Sequence, residues 1–119
     1  MKLGKIIDVV RGRVLTNKVD ADLEIPCCGA SDLMSDALAF MKPGDLLLTG
    51  LVHSQVIRTA EMADLAAIIF VRGKTPNSDT IELAKELNIP LIASPYGMYE
   101  MCGLLYRAGL EPTLKNDHR

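Results

Sequence analysis

Several residue types that mark common protein classes are scarce in this chain of 119 residues. Tryptophan is absent, and tyrosine (three) and phenylalanine (two) are few. Aliphatic residues and the six methionines must therefore fill the core, and a hydrophobic content of 49% is sufficient for one. The length corresponds to a single domain.

Strong charge and long apolar runs are also missing. The formal net charge is -2, whereas a nucleic-acid-binding domain usually carries a basic surface. No apolar run reaches the roughly 18 residues of a membrane span, and Met1 to Lys5 lack the apolar segment of a signal peptide. We therefore expect a cytoplasmic protein that binds neither nucleic acid nor a membrane.

Cysteine is limited to Cys27, Cys28 and Cys102. Adjacent residues of a strand point to opposite faces, and a structural zinc ion needs four Cys or His ligands in paired spacings. We expect reduced, packing cysteines and neither a metal nor a cofactor. The alternative is a thiol sensor or a metal ligand.

Short apolar strands alternate with amphipathic helices along most of the chain. Strands are predicted at 14–16, 23–28, 46–48, 67–71 and 90–93. Helices are predicted at 2–10, from a cap at Ser31 to Met41, at 54–64, at 77–87 after Thr75-Pro76, and at 97–108, closed by Gly109. This order predicts an α/β domain over 1–109, with a mostly parallel sheet of about four to five strands and helices on both faces. A polar tail is expected over 110–119.

Ligands of open parallel sheets bind beyond the carboxyl ends of the strands. Four loops occupy those positions, and each leads into a helix N-terminus, which favours an anion. The candidate ligand-binding residues are Gly29, Ser31, Thr49, Gly50, His53, Ser54, Arg72, Gly73, Lys74, Ser94 and Tyr96. They favour a phosphorylated small molecule, although the chain has neither a P-loop nor a Gly-x-Gly-x-x-Gly fingerprint. The alternative is that all of them are ordinary turn and capping residues.

His53 is the single histidine within the predicted domain. With Ser54 it could serve a small enzyme, since histidine exchanges protons near neutral pH. No Ser-His-Asp or Cys-His spacing accompanies it, so we expect no enzyme and no catalytic residue.

Five stretches of the chain carry a resemblance to a known family. They are Gly12-Arg13-Val14-Leu15, Gly29-Ala30, Lys42-Pro43-Gly44-Asp45-Leu46-Leu47-Leu48-Thr49-Gly50, Ile68 to Gly73, and Pro90-Leu91-Ile92 followed by Tyr99-Glu100. On these stretches, over about residues 3–108, the chain resembles the DRTGG domain family. It departs from the signature that names the family. Gly50-Leu51-Val52-His53-Ser54 replaces the loop with the Asp-Arg pair, and Val71-Arg72-Gly73 keeps only the final glycine of Thr-Gly-Gly.

The resemblance implies a domain similar to the N-terminal domain of HPr kinase/phosphorylase. Such domains occur beside CBS domains in regulated pyrophosphatases, as regulatory or dimerising modules with the chemistry elsewhere. It therefore implies a non-catalytic, homodimeric module that binds an adenine nucleotide or another phosphorylated metabolite. The alternative is a structural dimerisation or protein-interaction subunit without a small ligand. Such a subunit needs an exposed apolar patch, for which the candidates are Met34, Met41, Met98 and Met101.

Overall fold

A computed structural model describes residues 1–114. The helices are α1 (Leu3–Val9), α2 (Met34–Phe40), α3 (Ser54–Ala63), α4 (Ser78–Glu86) and α5 (Met98–Ala108). The strands are β1 (Arg13–Val14), β2 (Cys27–Ala30), β3 (Leu46–Thr49), β4 (Ala67–Phe70), β5 (Leu91–Ala93) and β6 (Glu111–Pro112). The predicted alternation of strands and helices is confirmed.

All six strands belong to one sheet, in the order β1-β5-β4-β3-β2-β6. The five strands from β2 to β6 are parallel, whereas β1 pairs antiparallel with β5. The mostly parallel sheet is thus confirmed, with six strands where four to five were expected. The count is higher because β6, which pairs over only two residues, lies in the segment predicted to be a polar tail.

Apolar side chains cover both faces of the central strands, since β3, β4 and β5 are buried throughout. On one face Leu47 and Ile68 pack with α2, α3 and α4. On the other face Leu46 and Ile69 pack with α1 and α5. Helices on both faces were predicted from the continuously apolar strands, and the structure confirms them.

Two helix starts differ from the prediction. Ser31 is not the cap of α2, because its hydroxyl accepts a hydrogen bond from the N–H of Leu33 (3.0 Å) and the helix begins only at Met34. The helix predicted at 77–87 begins one residue later, as α4 at Ser78, and Thr75 is not its cap. Its cap is Asn77, whose side-chain oxygen accepts from the N–H of Thr80 at 2.9 Å.

The residues that follow α5 belong to the sheet. Gly109 ends the helix with a φ of 105°, a left-handed value that suits glycine. Leu110 is buried, and β6 then pairs with Cys27 and Cys28 of β2. The sheet therefore extends into the segment assigned to the polar tail, whereas 115–119 lie outside the described residues.

The Pro43-Gly44-Asp45 turn before β3 is anchored by a buried carboxylate. Asp45 is 2% exposed and accepts hydrogen bonds from the N–H of Lys42 (2.9 Å) and from the hydroxyl of Thr113. This carboxylate links the turn to the segment after β6. Within residues 1–114, no helix has the length and apolar character needed to cross a membrane.

Candidate functional site

The four loops that follow β2, β3, β4 and β5 lie side by side, because these strands are parallel and adjacent in the sheet. Hydrogen bonds connect one loop to the next. The N–H of Val71 donates to the carbonyl of Thr49 at 3.1 Å, and the N–H of Ser31 donates to the carbonyl of Leu48 at 3.1 Å. The loops therefore form one continuous polar edge.

A crevice is expected where β4 and β5 end, because the helices that follow these two strands lie on opposite faces of the sheet. Such a reversal is where open α/β sheets bind ligands. Arg72 and Gly73 lead away from β4 with φ values of 55° and 66°. Their N–H groups donate to the carbonyls of Tyr96 (2.8 Å) and Ser94 (2.7 Å). The β4 and β5 loops are thus joined by backbone hydrogen bonds, and Arg72 beside them is exposed.

The buried hydroxyls at this edge hold the loops together rather than facing solvent. Ser94 donates to the carbonyl of Val10 at 2.8 Å and accepts from the N–H of Tyr96 at 3.2 Å. Thr49 donates to Asp32 at 3.0 Å and accepts from the N–H of Leu51 at 3.1 Å. The roles seen for Ser94 and Thr49 are therefore structural.

Asp32 is a residue that the sequence analysis missed. One oxygen of its carboxylate accepts from the Thr49 hydroxyl and, at 2.7 Å, from the N–H of Gly50. The Gly50 amide, predicted from the sequence to bind an external anion, thus already donates to a carboxylate of the chain itself. That negative charge disfavours a phosphate at the end of β3.

Three cationic residues lie in or near the loops at the ends of β4 and β5. Arg72 is exposed, and Lys74, two residues further along the loop, is half-buried. Arg11 was not considered from the sequence. It is exposed and follows Val10, whose carbonyl bonds Ser94 at the end of β5. The long-range hydrogen bond between Val10 and Ser94 brings its backbone to this edge.

His53 and Ser54 lie at the start of α3 and are exposed. His53 occupies the capping position without a side-chain hydrogen bond to the helix. In the described part of the chain, neither side chain is joined by hydrogen bonding to an acidic or nucleophilic group.

Gly29 lies within β2 and away from the crevice. A Cβ there would come within 3.1 Å of Thr113 and 3.2 Å of Met41, so close packing accounts for the glycine. Ser31 lies beyond the end of the same strand. Both residues line a groove of about 200 Å³ beside Phe40 and Leu114.

A larger, mostly apolar groove of about 390 Å³ separates α5 from the β2–β6 edge. Cys28 and Cys102 both line it, as do the exposed Tyr99 and Tyr106. Burial, followed by the nearby Cys102, raises the pKa of the Cys28 thiol, and burial raises that of Cys102. Both thiols therefore stay protonated near neutral pH, as expected of packing cysteines. Within residues 1–114, no three Cys, His, Asp or Glu residues are placed to hold a metal.

Comparison with solved structures shows that another protein has a similar fold. A solved structure of the CBS and DRTGG domains from the regulatory region of Clostridium perfringens pyrophosphatase, in complex with the activator diadenosine tetraphosphate, superposes with a TM-score of 0.74 at 20% identity. The match covers 98% of this chain and 51% of that one, so the chain spans about half the length of that neighbour. A comparison with curated proteins found no match.

The family comparison identifies the chain independently of that neighbour. The DRTGG domain matches residues 5–108, which is nearly all of the α/β unit described above. The expected resemblance is confirmed even though the signature loops differ. The chain belongs to the DRTGG domain family.

Proposed function

We propose that this chain is a non-catalytic regulatory module that binds an adenine nucleotide or another phosphorylated metabolite at the ends of β4 and β5. The observation that carries the proposal is the exposed Arg72 at the carboxyl end of β4, beside a β5 loop that is hydrogen-bonded to it. The backbone amides of Arg72 and Gly73 donate these bonds. A site whose backbone is already ordered loses little conformational entropy when a ligand binds.

The charges at this edge favour an anion in the crevice rather than along the whole edge. Arg72 and Lys74 lie in the β4 loop, and Arg11 lies near the end of β5. The carboxylate of Asp32 lies at the end of β3, one strand away. An arginine can bind phosphate oxygens in a bidentate manner, and Tyr96 offers an aromatic ring to a base.

The neighbour supports the choice of adenine nucleotides as the first ligands to test. Its regulatory region, which includes a DRTGG domain, was solved with diadenosine tetraphosphate. At 20% identity this likeness concerns the fold, so the ligand is part of the proposal for this chain.

A thermal-shift titration tests the proposal, with ATP, ADP, AMP and diadenosine tetraphosphate as the ligands. A ligand at about 100 times its dissociation constant stabilises the protein by about 2.7 kcal/mol. For a domain of this size that is a rise in melting temperature on the order of 10 °C. We expect the rise to be lost in Arg72→Gln and kept in Arg58→Gln, a matched change on the outer side of α3 where the arginine pairs with Glu61.

Each other outcome removes a defined part of the proposal. A rise that persists unchanged in Arg72→Gln would place the ligand elsewhere on the molecule. The absence of a rise with all four nucleotides would refute nucleotide binding, and inorganic pyrophosphate would then test phosphate binding alone.

The second candidate function is self-association as a dimerisation subunit. The methionines suggested by the sequence do not form its surface, since Met34 and Met101 are buried and Met41 and Met98 are half-buried. The exposed large apolar side chains are instead Leu33 at the cap of α2, Leu38 and Phe40 on α2, Met62 on α3, Tyr99 and Tyr106 on α5, and Leu114 after β6. Such a surface favours a protein contact, and this candidate is compatible with ligand binding at the crevice.

A further inference from the structure

The outward face of α5 has features that the chain itself does not explain. Met101 and Leu105 pack into the core from the inward side of the helix. Tyr99 and Tyr106 are 95% and 72% exposed on the outward side. A large aromatic ring in water is a common anchor of protein interfaces.

Gly103 lies at the middle of this outward face. Glycine in a helix interior lowers stability by roughly 1 kcal/mol relative to alanine. A Cβ at Gly103 would meet nothing within 4 Å, and the residue is exposed. Nothing within the described chain requires the missing side chain, whereas another backbone packed closely against α5 would require it.

The residues around Gly103 are arranged so that the face can pair with itself. With about 3.6 residues per turn, Tyr99 and Tyr106 flank Gly103 on one side, and Glu100 and Arg107 flank it on the other. Each pair is seven residues apart, which is about 10.5 Å along the axis, and both pairs are centred near Gly103. A two-fold axis near Gly103 and perpendicular to the helix would make α5 antiparallel to α5 of a second copy. Each end of the helix would then lie against the opposite end of the partner helix. The tyrosine side would face the partner's tyrosine side, and the charged side would face the partner's charged side.

We propose that α5 forms the two-fold interface of a homodimer, packing antiparallel against α5 of a second copy with the two Gly103 residues at the crossing. In that arrangement Glu100 faces the partner's Arg107, and this contact occurs twice. Tyr99 meets the partner's Tyr106 in the same way. Glu100 meets the partner's Arg107 only when the helices are antiparallel, because a parallel two-fold pair would exchange the flanks and place Glu100 beside the partner's Tyr99.

The groove beside α5 extends this surface on the tyrosine side. It has a volume of about 390 Å³ and is lined by Gly103, Leu110 and Pro112 as well as the two tyrosines. A tyrosine ring from the second copy would fill apolar space that the described residues leave open. This inference rests on the self-association candidate of the proposed function and specifies its surface.

Sedimentation velocity of the full chain tests the interface through charge reversal. We expect the wild-type chain to be a dimer at micromolar concentrations. Glu100→Arg or Arg107→Glu alone places like charges together twice, so each should raise the dimer dissociation constant about tenfold or more. The double variant Glu100→Arg/Arg107→Glu restores opposite charges and should restore the dimer. A role within one subunit predicts no such rescue.

Gly103→Leu supplies an independent test. If Gly103 has no role in assembly, the leucine should raise the melting temperature through its better helix propensity and leave the sedimentation unchanged. If α5 is the interface, the same variant should become monomeric while remaining folded by circular dichroism. A wild-type chain that is monomeric would refute both the interface and the self-association candidate. A dimer unaffected by any of these variants would refute the α5 face alone.

Discussion

Removal of the buried Asp45 carboxylate should strongly destabilise the fold. In Asp45→Ala the N–H of Lys42 and the hydroxyl of Thr113 both lose their acceptor. A buried donor left without a partner costs about 1–3 kcal/mol. We therefore expect a loss of about 2–5 kcal/mol in the free energy of unfolding, a large part of the stability of a typical small domain.

Urea denaturation measures this loss directly. The midpoint should fall while the dependence on urea stays constant, because the surface exposed on unfolding does not change. The melting temperature should fall by roughly 10–20 °C, at about 4 °C for each kcal/mol. Asp8→Ala, at an exposed position of α1, is the matched control and should stay within about 0.5 kcal/mol of the wild type.

Thr113→Val separates the two bonds of the carboxylate. It keeps the shape of the side chain and removes only the hydroxyl, so its effect should be intermediate between wild type and Asp45→Ala. An Asp45→Ala protein within about 0.5 kcal/mol of the wild type would refute the carboxylate as an anchor. A Thr113→Val protein as stable as the wild type would show that the bond to Thr113 does not hold β6 in place.

Two further changes address the strand ends and the thiols. Asp32→Ala leaves the Thr49 hydroxyl and the Gly50 N–H without their acceptor, so the free energy of unfolding measured in urea should fall by about 1–3 kcal/mol. Asp32→Asn keeps an oxygen and should lose less than half as much. Equal losses in the two variants would contradict this role. Because burial raises the pKa of Cys28 above its ordinary value of 9.0, the unfolded chain releases this proton first. Its contribution to stability is therefore complete below about pH 9 and should fall by up to about 1.4 kcal/mol per pH unit above it. Parallel stability profiles of the wild type and Cys28→Ala above pH 9 would contradict that shift.

The central fold could be predicted because its signals are local. The strands β3, β4 and β5 are short apolar runs bounded by proline or glycine, and each was placed within one residue of its observed ends. The edge strand β6 lacks such a signal. Glu111–Pro112 contains no apolar alternation, and β6 exists because of its pairing with β2, about 84 residues away in sequence (111 minus 27).

The candidate site could be predicted as a set of loops but not as a set of contacts. The carboxyl ends of parallel strands must share an edge, which is why the four loops were recognised. The bond between Asp32 and Gly50 depends on the register of β2 against β3, in which Ala30 lies opposite Leu48. An acidic residue two positions beyond β2 was the available signal, and its significance appears only once that register is known.

The loss of the family signature has a structural counterpart in the position of Asp32. The loop after β3, Gly50-Leu51-Val52-His53-Ser54, contains no acidic residue, yet the carboxylate of Asp32 reaches its first amide from the neighbouring β2 loop. An external anion at Gly50 would have to displace a charged hydrogen bond of 2.7 Å and would face the displaced charge. Arg72 lies in the β4 loop, with its backbone amide already bonded across the crevice to Tyr96. The acidic and basic groups of this edge therefore lie on different loops, and this separation is the reason for proposing Arg72 rather than the end of β3 as the position of a phosphate.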